Sequence, residues 1–258
     1  METALITGAS SGIGEAFAEE LAARQMNLVL VARSAEKLQQ LAQTLQAKYG
    51  VRVDVIPLDL TTANAASVIF DTTQSLGITI DLLINNAGFG DYGEFSSRQG
   101  DRQVQMIQLN VLALVDLTHK YLPLMRDRRG GSIINVASIA AFQPLPYMSV
   151  YAASKAFVRS FSEALWAENR QYGIKVLASC PGPTETNFAQ EARFPAAMTG
   201  KTQKVSTSEE VVKETLAALA ANESTVVIGG AISQLITRIG AFVPRKVFLQ
   251  SLEKTFRF

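Results

Sequence analysis

The stretch TALITGASSGIG, residues 3–14, joins five strand-like residues to a turn carrying Gly8, Gly12 and Gly14. A short apolar run that stops at a glycine turn and restarts as a helix opens a strand–turn–helix unit. Glycines let the chain turn sharply and let backbone amides approach a bound group. The helix beginning near Ser11 or Gly12 adds its positive N-terminus at the same place. The spacing is GxxxGxG rather than GxGxxG. It predicts a pyrophosphate held against Gly8, Ser10, Ser11, Gly12, Ile13 and Gly14, the alternative being a turn that merely connects strands.

The same alternation continues outward. Six more apolar runs come after it: NLVLVAR (27–33), VRVDVIPLD (51–59), DLLINNAG (81–88), GSIINVAS (131–138), IKVLASCPG (174–182) and STVVIGG (224–230). Helical patterns lie between them, as at 101–125, where Val104, Ile107, Val111, Leu114, Val115 and Leu122 recur at three- and four-residue intervals. Continuous apolar strands interleaved with amphipathic helices predict a seven-stranded, mostly parallel sheet covered on both faces, a doubly wound Rossmann fold. No linker tract or repeat divides residues 1–258, so a single domain is expected.

Composition narrows the function classes. The 258 residues carry a formal net charge of +1, which argues against a nucleic-acid binder relying on a basic field. Cys180 is the only cysteine and His119 the only histidine. No intrachain disulfide, no Cys- or His-based metal site and no Ser-His-Asp hydrolase is therefore expected. Met1 leads straight into the first apolar run without an export signal, and no apolar run reaches membrane-span length. A cytoplasmic protein is the expectation.

Three further motifs stand at strand ends, where open α/β sheets build their sites. The second strand ends in Ala32-Arg33-Ser34 with no acid to grip a ribose 2′-hydroxyl. Arg33 offers a planar fork for a 2′-phosphate and Ser34 a hydroxyl, so NADP(H) is expected over NAD; a solvated arginine at a helix start is the alternative. LINNAG (83–88) places Asn86, Ala87 and Gly88 beside the cofactor, giving amides and a passage of small residues. INVAS (134–138) ends on Ser138, thirteen residues before Tyr151. In YAASK, one helical turn brings Tyr151 and Lys155 to the same face, and a nearby cation favours phenolate.

Together TGASSGIG, NNAG, the strand-end Ser138, YAASK and CPGPTETNF (180–188) resemble the compact, single-domain branch of the short-chain dehydrogenases/reductases. The resemblance covers residues 3 to about 188, and VARSAEKL (31–38) is similar to the NADPH-using ketoacyl and 17β-hydroxysteroid reductases. It implies that Tyr151 donates a proton to a carbonyl oxygen while hydride leaves NADPH. Lys155 would lower the Tyr151 pKa and bond the nicotinamide ribose, Ser138 would hold the substrate oxygen, and Asn110 would support a water joining Lys155 to solvent. It also implies that Asp59 meets the adenine with Leu60 beside it. Pro181, Gly182 and Thr184 would line the nicotinamide, and Thr186 its carboxamide or phosphate side. Rival readings are a non-catalytic NADP(H)-binding sensor or scaffold with the same fold, and an epimerase or dehydratase, for whose usual substrate domain the chain has no room.

The loops at 89–95, 139–148 and 184–200 are rich in Phe, Tyr, Met, Ala and Pro, which favours a hydrophobic ketone or aldehyde. Residues 184–205 are expected to form a mobile substrate lid. The helices at 101–125 and 151–172 carry apolar faces too broad for one sheet contact; the family pairs them across a two-fold axis, so a homodimer is expected. Finally, 231–258 reads as an amphipathic extension with Ile232, Leu235, Ile236, Ile239 and Phe242 at helical spacing, a break at Pro244, then Val247, Phe248, Leu252 and Phe256. Packing beside the substrate pocket or a partner subunit is the plainer reading. Its surplus of basic residues also admits weak contact with an anionic membrane.

Overall fold

The computed structural model describes residues 1–195, 205–230 and 244–257. Seven strands form one sheet: β1 (Thr3–Thr7), β2 (Asn27–Ala32), β3 (Val53–Pro57), β4 (Leu82–Asn85), β5 (Gly131–Val136), β6 (Ile174–Pro181) and β7 (Thr225–Ile228). Their order is β3-β2-β1-β4-β5-β6-β7 and every pairing is parallel. The chain steps outward from β1 to β3, then crosses to β4 on the other side of β1. At that reversal the loops after β1 and β4 diverge and leave a crevice beyond the carboxyl ends.

Successive strand residues feed opposite layers, as a two-residue period requires. Ile6, Leu28, Leu30 and Ile84 pack beneath α1 (Gly12–Ala23), α2 (Ala35–Tyr49) and α8 (Ser208–Ala220). Leu5, Val29, Val31, Leu83 and Ile133 face α3 (Ala65–Ser75), α5 (Leu114–Arg128) and α6 (Ser149–Asn169) on the other side. Ordinary end signals set the helix limits. The Ser34 hydroxyl accepts from the Lys37 amide to cap α2, and Gly50 ends that helix at φ 71°. As expected from its sequence, Gly173 stops the run after α6 at φ 72°.

The stretch read as one helix at 101–125 is not uniform. It comprises α4 (Gly100–Ile107), a π-helical segment over Gln108–Ala113, and α5. Gln103, Met106, Asn110, Ala113, Leu114 and Leu117 are buried, whereas Val104 and Ile107 are 55% and 43% exposed. The apolar periodicity therefore misplaces the inward face by about one residue. The widened π-helical turn includes Asn110, and such turns are frequent at functional sites.

The last two described helices are the short α7 (Phe188–Glu191) and α9 (Arg245–Phe256). Of the extension at 231–258, α9 packs beside the loops after β4, where Tyr92 donates its hydroxyl hydrogen to the Phe256 carbonyl at 2.6 Å. The apolar set Ile232 to Phe242, and residues 196–204 of the expected lid, lie outside the described residues.

Candidate active site

The glycine turn has the backbone its sequence calls for. Gly8 and Gly12 adopt φ 66° and 56°, and a methyl group on Gly14 would fall 2.2 Å from the Gly8 carbonyl oxygen. Only glycine meets both demands. Ser10 is half-buried, Ser11 is exposed with its hydroxyl uncommitted to capping α1, and Ile13 packs on the core. Thr186 closes over the turn, its methyl 2.9 Å from where a Gly12 Cβ would stand.

The neighbouring Asn-Asn-Ala-Gly segment works differently from its reading. The Asn86 and Ala87 amides both donate to Thr7 Oγ1 at 3.0 Å, and Asn86 Nδ2 donates to the Thr7 and Gly8 carbonyls at 3.0 and 3.3 Å. These donors, expected to serve a bound cofactor, instead hold the glycine turn in shape. Thr7 is the residue that sequence reasoning missed, because nothing marks a strand-end threonine as a double acceptor. Gly88 sits between Asn110 and Lys155.

At the end of β2, Arg33 is exposed and makes no hydrogen bond or ion pair among the described residues. Asp59 faces it across the β3 end. The Thr61 amide and hydroxyl donate to Asp59 Oδ1 at 2.9 and 2.8 Å. The Thr61 amide chiefly, with help from the Arg33 charge, holds its carboxyl below the usual carboxylate value despite burial. Ser34 is committed to its helix cap and Leu60 is a core residue, 8% exposed. Of the four residues expected here, Arg33 has free charged donors, and the Ser34 hydroxyl keeps its own hydrogen to give.

Ser138, Tyr151 and Lys155 converge beyond β5. Ser138 Oγ accepts from the Ala140 amide at 3.1 Å, which fixes the hydroxyl at the strand end. Tyr151 lies in the first turn of α6 and is 8% exposed. Burial pushes its phenol up to about 12, and a hydrogen bond with the Ser138 side chain only partly opposes that. Lys155, 5% exposed, donates from Nζ to the Val136 carbonyl at 2.7 Å and stands 5.9 Å from the Tyr151 ring centre. Burial lowers its amino group to about 8.

The expected depression of the Tyr151 pKa by Lys155 is therefore corrected. The ammonium is directed at Val136, and desolvation dominates both groups. At neutral pH the pair is a protonated phenol beside a lysine that is still mostly charged. Cys180 lies nearby as a buried thiol, which burial pushes up to about 12 and so keeps neutral.

Asn110 is held tightly at its place in the π-helical segment. Its Nδ2 donates to the Phe89 carbonyl at 3.0 Å and to Ser154 Oγ at 3.1 Å, while its Oδ1 accepts from the Phe89 amide at 3.1 Å. These bonds clamp the backbone after Gly88, and they leave the side chain only acceptor capacity for any water there. Pro181 ends β6, the Gly182 amide donates to Ile228, and Thr184 bonds the Gly182 carbonyl, so this segment is braced against β7.

Apolar side chains wall the space beside Tyr151. Tyr92, Met106, Leu145 and Met148 form a buried cluster with it, and Phe89, Tyr147, Phe188, Phe194 and Phe256 pack around them. The Phe188 ring lies against Tyr151, their centres 5.3 Å apart. Among the described residues, no cluster of His, Cys, Asp and Glu could hold a metal ion.

Comparison with known proteins agrees with this geometry. The family described as short chain dehydrogenase matches residues 2–196. A 17-beta-hydroxysteroid dehydrogenase type 3 from Rattus norvegicus is 34% identical over 256 residues, covering 98% of this chain and 80% of its own. A very-long-chain 3-oxoacyl-CoA reductase from Mus musculus is 31% identical over 253 residues, covering 96% and 78%. Among solved structures, a short-chain dehydrogenase from Sphingobium yanoikuyae in complex with NADPH superposes with a TM-score of 0.84 at 32% identity, covering 97% of this chain and 96% of that one.

Proposed function

The chain belongs to the short-chain dehydrogenases, and on that footing we propose that it reduces a hydrophobic ketone or aldehyde with NADPH. The observation that carries the reading is the convergence of Ser138, a protonated Tyr151 and Lys155 against an aromatic wall at the carboxyl edge of the sheet. The glycine turn, with no room for side chains at Gly14, fits a pyrophosphate, and Arg33 fits the adenosine 2′-phosphate. Asp59 would meet the adenine and Lys155 the nicotinamide ribose. Bound there, NADPH supplies the hydride for the carbonyl carbon.

The protein's own groups handle the oxygen. Reduction builds negative charge on it, and two hydroxyls aimed at one point stabilise that charge. Ser138, fixed by the Ala140 amide, hydrogen-bonds the oxygen, and Tyr151 delivers its proton. A phenol raised to about 12 stays protonated throughout the physiological range, so the donor is always loaded. Lys155 has two N–H donors beyond the one given to Val136, which it can offer to the nicotinamide ribose. The alternative of a non-catalytic sensor finds no support, since every group the reaction needs is in place.

Aromatic walls around Tyr151 favour an apolar substrate, in keeping with the ketoacyl and steroid names of the relatives. An NADPH-oxidation screen across ketoacyl thioesters, steroids, aryl ketones, diketones and quinones tests this. Tyr151→Phe is expected to abolish turnover and leave NADPH affinity nearly unchanged. Substantial turnover by that variant would remove Tyr151 as the donor.

We extend the proposal to assembly and location. Val104, Ile107, Leu112 and Phe157 are exposed on the helices expected to pair, which supports a homodimer. A cytoplasmic protein suits the free buried thiol of Cys180. Weak contact with anionic membrane would run through α9, where Arg245, Lys246, Lys254 and Arg257 are exposed. Co-sedimentation with anionic vesicles at low salt reads that contact, and recovery of all protein in the supernatant would exclude it.

A further inference from the structure

The loop after β4 carries a buried carboxylate that the reduction does not use. The Asp91 side chain is fully buried and takes four hydrogen bonds. Arg98 Nε and Nη2 donate at 2.8 and 2.6 Å, Arg102 Nε at 3.1 Å and Gln103 Nε2 at 2.7 Å. All three donors lie on or just before α4. Burial pushes the Asp91 carboxyl up, but the bonds and charges of Arg98 and Arg102 outweigh it and keep the group ionised. Such a fully paired buried charge fixes geometry more than it adds stability.

Arg102 extends this anchor across the site. Its Nη2 donates to the Glu191 carbonyl at 2.7 Å, at the end of α7, and to the Gly90 carbonyl at 3.4 Å. Its guanidinium lies 4.8 Å from the Phe89 ring centre. The two carbonyls flank the seat of one side chain. Phe188, which opens α7, packs against Gly90 so closely that a methyl group there would fall 2.8 Å from its ring. The same ring covers Tyr151. A second tie, from the Tyr92 amide to the Ala192 carbonyl at 2.9 Å, runs parallel to the first.

We propose that Arg102, oriented by Asp91, is a positioning residue that latches α7 to the loop after β4 and thereby holds Phe188 over Tyr151 as a specificity-determining wall. The latch sets how thick a group can lie between the Phe188 ring and the reacting hydroxyls. A planar aromatic or fused-ring flank gains most from a wall held in place, and a small ketone that never reaches Phe188 gains nothing. The specificity half of this proposal rests on the carbonyl-reduction reading above; the latch itself does not. A lysine cannot replace Arg102, because a single ammonium cannot span Asp91 and both carbonyls as a planar fork does.

The test compares wild type, Arg102→Met and Arg102→Lys. Both variants leave Asp91 paired with Arg98 and Gln103, so the fold is retained and thermal melts check it. Hydrogen–deuterium exchange of amides in 188–194 should quicken about tenfold in Arg102→Met, with α2 and α8 unchanged. With NADPH, KM for a naphthyl methyl ketone should rise about tenfold while kcat holds, and kinetics with acetone should not change. Arg102→Lys should fall between the two. Unchanged exchange in Arg102→Met would overturn the latch. Faster exchange with unaltered discrimination between the two ketones would overturn its role in specificity. If wild type reduces neither ketone nor any compound of the screen above, the reduction reading fails, and the exchange comparison still decides the latch.

Discussion

Replacing Lys155 with methionine should stop the enzyme and stabilise the protein at neutral pH. Lys155 is 5% exposed, and burial brings its amino group from 10.5 down to about 8. A lysine whose folded pKa is depressed opposes folding while it is charged. That penalty is complete below about 8, shrinks as pH rises, and is gone above 10.5. The gap, at about 1.4 kcal/mol per pH unit, amounts to about 3 kcal/mol. Against it stands the bond from Nζ to the Val136 carbonyl, whose loss costs about 1–3 kcal/mol if that oxygen is left without a partner. Methionine keeps the length and packing of the lysine stem.

The net gain at pH 7 is therefore about 0–2 kcal/mol, or up to about 8 °C in Tm for a chain of this length. The assay is thermal melting of both proteins without NADPH at one fixed concentration, since ligand binding shifts Tm by itself. At pH 10 the wild-type lysine is mostly neutral, so the gain should vanish or reverse while the cost of the lost Val136 bond remains. Only relief of a buried charge has that pH signature; better packing would help equally at both. A variant less stable than wild type at pH 7, or one whose difference from wild type is the same at pH 10, would refute the reasoning.

Two other expectations concern exposed groups. Arg33→Asp should lower affinity for NADPH about tenfold to a hundredfold and move preference toward NADH, as titrations with both cofactors would show; equal use of NADH by the unmodified protein would remove Arg33 as discriminator. Light scattering at micromolar concentration should find a dimer, and charged substitutions at Leu112 and Phe157 should convert it to monomer without loss of fold; a wild-type monomer would leave those exposed side chains without a role in assembly.

The sheet was almost wholly legible because strands buried on both faces leave continuous apolar runs, and glycine turns punctuate them. All seven runs became strands; Thr3–Thr7 kept its full length, and the others lost one to four residues where ends such as Arg33 and Asp59 leave the ladder. The reacting side chains were legible for a different reason: Ser138, Tyr151 and Lys155 are placed by strand ends and a single helical turn, which are local geometry. The features that escaped depend on contacts between distant segments. The bonds from Asn86 to Thr7 span 79 residues, and that from Tyr92 to Phe256 spans 164. A pKa is likewise set by everything that surrounds the group. YAASK places a cation near a phenol but says nothing of the burial that overrides it. The Asp91 cluster left one signal, an acid with Arg98 and Arg102 after it on or before a helix, but a surface ion pair has the same spacing.

The hydrogen-bond inventory separates the groups that build the site from the groups that use it. Thr7 Oγ1 accepts from two amides and donates to the Ile84 carbonyl, Asn86 has both amide hydrogens on the glycine turn, and Asn110 has both on Phe89 and Ser154. Such side chains have little capacity left for a ligand, and replacing them should act through the shape of the turn or loop. Arg33, by contrast, makes no hydrogen bond among the described residues, Lys155 gives one of three donors to Val136, and Ser138 accepts from Ala140 while its own hydrogen can be aimed elsewhere. Tyr151 shares its phenol with Ser138 alone. Polar groups buried with unused capacity are costly unless something arrives to fill it. For Ser138, Tyr151 and Lys155, which share one end of the sheet, a carbonyl oxygen beside a hydroxyl-bearing ribose is the pair of groups we propose to fill it.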